Sequence, residues 1–297
     1  MAGCYDQTMS LLQVVLLAIV QGLAELLPVS SSAHVVVAEK LMGLDPSSPP
    51  MTLLLVLLHT GTMLAVIAYF WRQWRDAYFR SMAAFRGAAV NVLVATAVTG
   101  VVGETVIKII EKTVLRDAPG AQIEDLFSHL EIIAPALAVV GVLILIAGLT
   151  PLRKRSALTA VPASLNIPRA GLIGAVQGLS LPFRGFSRSG ATISTGILAG
   201  VSKQAAETFS FALAVVLTPV VVARETMRLV QMQSTGGIGI IFSVFGLTIL
   251  GAALAFLAGL LALKWLSRWL ESGRWYLFGI YCLFAAAGVF ALYRSGY

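Results

Sequence analysis

Hydrophobic positions along this chain come in long blocks, and the blocks predict its elements directly. Six runs, at about 52–71, 89–110, 132–149, 205–222, 238–263 and 275–293, are continuously apolar over roughly the 20 residues needed to cross a hydrocarbon layer about 30 Å thick. Each is expected to be a helix, because backbone exposed to lipid must satisfy its own hydrogen bonds. Two further apolar stretches, 11–42 and 170–201, are broken near their middle by proline and by a polar turn rich in serine. Each reads as a re-entrant helical hairpin whose turn is buried within the protein, where non-helical backbone is tolerated at membrane depth.

The two broken stretches resemble each other. Val20-Gln21-Gly22-Leu23 recurs as Val176-Gln177-Gly178-Leu179. A seryl turn follows each: Ser30-Ser31-Ser32 in the first and Ser187-Arg188-Ser189 in the second. The separation of about half the chain implies two structural repeats, at about 10–150 and 168–294, within one membrane domain covering 1–297. Each repeat holds one hairpin and three spans. Three is odd, so the second repeat enters from the opposite face, and an inverted pair of this kind brings its hairpin tips together near the midplane. The expected fold is therefore all-α and polytopic, with six transmembrane helices and two re-entrant hairpins.

Composition agrees with this. Of 297 residues, 58% are hydrophobic and 12% charged, with mean hydropathy +0.88, where soluble domains carry roughly 25% charged residues. The net charge of +7 could suggest nucleic acid, but its basic residues sit mostly in short loops between apolar runs and read as orientation charges instead. Arg72, Arg75, Arg80, Arg86, Arg153, Lys154, Arg155, Arg169, Lys203, Lys264, Arg268 and Arg274 share one side if six spans alternate. Lys40, Lys112, Arg116, Arg224, Arg228 and Arg294 take the other, diluted by Asp117, Glu124, Asp125 and Glu131. The positive-inside rule then turns both termini away from the cytoplasm. Cys4 and Cys282 stand in no metal-binding or disulfide pattern. The stretch before Leu11 has no Lys or Arg, so the run that follows lacks the basic flank of a secretory signal and is expected to belong to the mature fold.

The hairpins hold the chemistry. Gln21 and Glu25 are one helical turn apart and share a face. A carboxylate inside an apolar helix costs about 2.5–3.5 kcal/mol on insertion scales and needs a compensating partner such as a cation. Pro28 ends that helix, Ser30, Ser31 and Ser32 can cap the next, and His34 lies about one turn inside it. Half a chain later, Arg184-Gly185-Phe186-Ser187-Arg188-Ser189-Gly190-Ala191-Thr192 offers glycines, hydroxyls at Ser187, Ser189 and Thr192, and a guanidinium fork suited to phosphate oxygens. A second helix is expected from about Ala191. Two helix N-termini and arginine converging on one buried locus fit a phosphate or diphosphate better than a singly charged ligand. His59, and Glu104 with Lys108, are expected to make a span-to-span hydrogen bond and an i,i+4 ion pair respectively.

The run from Glu25 through Pro28 and Ser31 to His34, paired with Gly185 to Thr192, resembles the undecaprenyl-diphosphatase family, the bacitracin-resistance type of bacterial membrane phosphatase. His59-Thr60-Gly61-Thr62, Phe209-Ser210-Phe211 and Leu213-Ala214 support the likeness, which covers essentially the whole chain. The resemblance implies hydrolysis of a polyprenyl diphosphate carrier to its monophosphate and inorganic phosphate on the outer side of the bacterial inner membrane. It also implies a role in cell-wall synthesis and the use of a divalent cation, Mg2+ or Ca2+. By the family pattern Glu25, Ser31, His34 and Arg188 are active-site positions. Beside them, Ser30, Ser32, Arg184, Ser187, Ser189 and Thr192 are expected around the substrate, and Glu25 and Gln21 toward the metal. Either Ser31 is the nucleophile with His34 as its base, or His34 is the nucleophile and Ser31 a phosphate ligand. Two positions depart from the pattern. Gln21 stands where the family usually has Glu, and Arg184-Gly185 stands where it usually has Pro-Gly. The expected partners are the lipid diphosphate and the membrane, without nucleic acid, and a homodimer is left open. A transporter or flippase of an anionic lipid would account equally well for the inverted repeat. It would not account for the histidine beside the seryl turn, and a structural scaffold would need neither the hairpins nor the buried charges. The phosphatidic-acid phosphatases, which use a His and an Asp downstream, do not match.

Overall fold

A computed structural model describes residues 9–44, 49–113, 126, 129–150, 165–233 and 238–296. Among these are ten helices: α1 (Leu11–Leu26), α2 (Ser31–Leu41), α3 (Pro49–Tyr78), α4 (Met82–Thr113), α5 (Leu130–Leu149), α6 (Ile167–Leu179), α7 (Arg188–Leu198), α8 (Lys203–Gln233), α9 (Ile238–Glu271) and α10 (Tyr276–Arg294). The protein is an all-α, polytopic membrane protein. Helices α3, α4, α5, α9 and α10 are long and apolar enough to cross a membrane, and α8 carries the sixth expected run inside a 31-residue helix. Several helices outrun their apolar blocks. Helix α3 has 30 residues, about 45 Å at 1.5 Å per residue, and continues past Trp71 to Tyr78. A helix leaving the hydrocarbon layer has no reason to stop until a cap or breaker ends it. Asp6, the Arg153–Arg155 cluster, and Arg116, Asp117, Glu124 and Asp125 fall outside the described residues, as do the side chains of Arg224 and Arg228.

The broken stretches are two pairs of short helices, α1–α2 and α6–α7, of 16, 11, 13 and 11 residues. At about 24 Å or less, none could cross the bilayer core alone. Local sequence sets their ends. Ser10 and Gln13 form a capping box on α1, the Asn166 side chain accepts from the Arg169 N–H on α6, and Ser30 and Ser187 cap α2 and α7. Helix α7 begins at Arg188, three residues before the expected start at Ala191, because the Ser187 hydroxyl accepts from the Gly190 N–H at 3.2 Å and closes the first turn early.

Packing is reciprocal. Helix α1 lies against α9 and α6 against α4, while α5 pairs with α10 and α3 with α8. The repeated Val-Gln-Gly-Leu explains the first two contacts. A Cβ on Gly22 would lie 2.6 Å from the Ala258 Cβ on α9, and one on Gly178 would lie 2.8 Å from the Thr99 carbonyl oxygen on α4. Lipid gives helices no hydrophobic reason to associate, so close approach at small residues supplies dispersion instead. Polar contacts reinforce it: Thr99 Oγ1 donates to the Gly174 carbonyl at 2.9 Å, and the fully buried Trp275 donates its indole N–H to Ser194 at 3.0 Å. These contacts hold the two hairpin tips against each other, where the Ser189 hydroxyl reaches the Leu27 carbonyl at 3.4 Å.

Candidate active site

Between the two tips lies a cavity of about 240 Å³. Its polar side is built from Glu25 at the end of α1, Ser30, Ser31 and Ser32 at the start of α2, and Ser187, Arg188 and Ser189 at the start of α7. Arg184 from the α6–α7 turn and His59 from α3 complete it. Both turns need unusual backbone. Ser30 has φ 68°, the only non-glycine residue with positive φ among those described, and Gly185 has φ 101°. A Cβ on Gly185 would stand 2.4 Å from the Ile133 carbonyl oxygen, so glycine is required there on two counts. Positive φ in a serine costs of order 1–3 kcal/mol and persists only where its surroundings enforce it.

Glu25 is the hub. Its Oε2 accepts from the Ser31 hydroxyl at 2.5 Å and from the Gln21 amide at 3.2 Å, and its Oε1 accepts from Arg188 Nη2 at 3.0 Å. His59 Nε2 is 3.8 Å from the same carboxylate, while its Nδ1 lies 2.8 Å from the Leu55 carbonyl on its own helix. The side chains of Glu25 and Arg188 are 16% and 21% exposed, enough for a ligand to reach both. The arrangement joins an alcohol to a carboxylate at short range, beside a guanidinium and two helix N-termini, as a reaction that moves a phosphoryl group onto oxygen requires.

The structure gathers most of the residues expected from sequence at this cavity and takes three away from it. Gln21, 1% exposed, stands behind Glu25 and orients it rather than facing the cavity. Thr192 is fully buried and turned to α8, where its hydroxyl meets Ser210 at 2.6 Å; one turn inside α7, it lies beyond the helix end that a ligand can touch. His34 is not brought to Ser31. Its Nδ1 is 2.8 Å from the Ser30 carbonyl and its Nε2 is 2.7 Å from the Tyr281 hydroxyl on α10, with the two rings stacked at 5.7 Å. The ring faces a separate, mainly apolar cavity between α2, α5 and α10. The side chain within hydrogen-bond reach of the Ser31 hydroxyl, expected to be His34 if Ser31 were the nucleophile, is Glu25. His59, read from sequence as a helix-to-helix tie, is the histidine beside the carboxylate; its place in the resemblance was the signal that could have found it. Glu104 and Lys108 form the expected ion pair at 3.1 Å, both exposed.

Comparison with known proteins agrees with this architecture. The family model described as bacitracin resistance protein BacA matches residues 14–288, from inside α1 to inside α10. The chain belongs to this family. Among curated BacA-type relatives it is 53% identical to undecaprenyl-diphosphatase 2 of Acinetobacter baylyi, across 96% of this chain and 98% of that protein. It is 33% identical to undecaprenyl-diphosphatase 2 of Burkholderia orbicola, across 96% of both chains. With undecaprenyl-diphosphatase of Rhodopirellula baltica it shares 31% identity across 92% of this chain and 94% of that one. The BacA match therefore takes in both hairpins and every residue of the cavity described above.

Proposed function

We propose that this chain is a membrane phosphatase that hydrolyses undecaprenyl diphosphate to undecaprenyl phosphate and inorganic phosphate, returning the lipid carrier to cell-wall synthesis. The observation that carries the mechanism is the Ser31–Glu25–Arg188 contact at the meeting of the hairpins. Glu25 takes the Ser31 proton as Oγ attacks the terminal phosphorus. The Oγ–P bond forms, the bridging P–O bond breaks, and undecaprenyl phosphate leaves. Glu25 passes that proton to the departing phosphate oxygen, then deprotonates the water that attacks the phosphoserine, and returns the proton to Ser31 Oγ as the Oγ–P bond breaks and inorganic phosphate is released. Arg188 exchanges the Glu25 carboxylate for phosphate oxygens, and the N–H groups that open α2 and α7 stabilise charge on the transferred group. His34 bonds the Ser30 carbonyl and is itself held by the Tyr281 hydroxyl, and so steadies the strained turn that presents Ser31.

A divalent cation, Mg2+ or Ca2+, is part of the proposal. Among the described residues no group of three His, Cys, Asp or Glu side chains forms a cage. A single carboxylate suits a cation borne largely by the substrate's own phosphates, so Glu25 would hold it, with Gln21 steadying Glu25 from behind. When bound, it would neutralise diphosphate charge. The reciprocal helix pairings support reading the chain as two repeats, at about 10–150 and 168–294. The loop charges support a bacterial inner-membrane location with the cavity opening to the outer side.

Phosphate release from undecaprenyl diphosphate by purified protein tests the reading, repeated with Ser31→Ala and Arg188→Ala. Both variants should lose nearly all turnover. Lipid translocation with no phosphate release from the unmodified protein would replace the phosphatase with a flippase.

A further inference from the structure

Of the chain's three histidines, only His59 lines the cavity between the hairpin tips. Both ring nitrogens of His34 are engaged elsewhere, and His129 stands at the surface with its Nδ1 2.7 Å from Glu131. His59 is carried on α3, which is held firmly at this point. A Cβ on Gly61 would lie 2.3 Å from the Ala252 carbonyl oxygen on α9, so the two backbones touch and α3 has little room to roll. The Thr62 hydroxyl donates to the His59 carbonyl at 2.9 Å.

The ring is oriented as a metal ligand is. Its Nδ1 lies 2.8 Å from the Leu55 carbonyl, and a carbonyl only accepts, so Nδ1 carries a proton. The neutral ring then keeps its lone pair on Nε2, and Nε2 stands 3.8 Å from Glu25 Oε2. Tying the far ring N–H to a backbone carbonyl is the usual way in which a metal-binding histidine is aimed. The separation is too long for a hydrogen bond but suits two donors of one ion. Donors at about 2.0–2.4 Å from a divalent ion, subtending about 90–110°, stand about 2.8–3.9 Å apart. An imidazole also adds a donor without adding negative charge, so it does not repel a diphosphate as a second carboxylate would.

We propose that His59 Nε2 and the Glu25 carboxylate are the protein's two donors to one divalent ion shared with the diphosphate, and that the imidazole makes this site favour first-row transition ions over Mg2+ and Ca2+. This rests on the phosphatase reading for what the ion serves and adds the side chain that decides which ion is held. Carboxylate and phosphate oxygens suit Mg2+ and Ca2+, whereas an imidazole nitrogen gains most from ions such as Co2+ and Zn2+.

Two measurements test it, neither of which needs turnover. The full chain, purified without a polyhistidine tag, is loaded with Mn2+ and the non-hydrolysable methylene diphosphonate, and electron spin-echo spectroscopy reads nitrogen coupled to the bound Mn2+. Imidazole nitrogen coupling should be present in the unmodified protein and absent from His59→Gln. A signal without nitrogen coupling, or coupling that survives His59→Gln, overturns the site. Should His59→Gln fail to fold, the His34→Gln/His129→Gln protein leaves His59 as its last imidazole; coupling should persist there, and its loss overturns the assignment. In the second measurement bound Mn2+ is displaced by Co2+ or by Mg2+. The preference for Co2+ should fall about tenfold in His59→Gln, whose amide oxygen can still serve Mg2+, and an unchanged preference overturns the proposal. Absence of phosphate release from the unmodified protein would instead refute the phosphatase reading, while both measurements would still decide whether His59 holds an ion.

Discussion

Replacing Glu25 by Gln removes two tasks that the geometry gives this side chain, and the two losses act on different kinetic constants. The amide keeps the size and much of the hydrogen bonding of the carboxylate, but it cannot take the proton of a hydroxyl that now lies 2.5 Å away. Loss of a positioned general base typically costs 10²–10⁴ in rate, about 2.7–5.5 kcal/mol at 1.36 kcal/mol per decade. The same substitution removes the charged partner that holds Arg188 at 3.0 Å. That charge-assisted hydrogen bond, about 1.5–3 kcal/mol when well desolvated, competes with phosphate for the guanidinium, and its loss leaves Arg188 free to bind the anion. With the cation that Glu25 would hold kept saturating, the expected result is a fall of about 10²–10⁴ in kcat with KM unchanged or lowered. Steady-state phosphate release in detergent, with substrate varied at saturating divalent cation, measures both constants. A fall in kcat of less than about tenfold, or a loss carried mainly by a raised KM, would refute the assignment of Glu25 as base and as competitor for Arg188.

Three further outcomes are expected. Tyr281→Phe removes the hydroxyl 2.7 Å from His34 Nε2, a hydrogen bond of about 0.5–1.5 kcal/mol, so kcat should fall roughly two- to tenfold with KM unchanged; turnover equal to the unmodified protein would dissociate His34 from the seryl turn. Gly185→Ala puts a Cβ 2.4 Å from the Ile133 carbonyl oxygen in a residue with φ 101°, and the cost, of order 1–3 kcal/mol from backbone conformation alone, should lower the thermal midpoint and abolish turnover. Both should be seen together, in a melting curve and a phosphate assay on one preparation. A tag appended after Tyr297 should react with an impermeant reagent added outside intact cells, and labelling only after permeabilisation would invert the orientation read from the loop charges.

Sequence alone determined what local physics governs in this protein. Long apolar runs become helices because lipid offers no other partner for the backbone, and the breaks in the two hairpins follow from proline, glycine and capping serines whose hydrogen bonds close within three residues. The same locality made Glu25, Ser31 and Arg188 legible as members of one site, since an ion in an apolar helix and an arginine in an apolar hairpin each need an opposite charge; that they bond one another came from the structure. Tertiary structure decided which way each side chain looks. His34 and Ser31 are three residues apart on α2, yet Ser31 faces the carboxylate while His34 turns to Tyr281, 247 positions away. His59, on another helix altogether, takes the place beside Glu25, and Thr192 is claimed by Ser210. Helical spacing fixes which residues share a face, but which face meets the cavity depends on where α3, α8 and α10 pack, and that depends on glycine contacts made across half the chain.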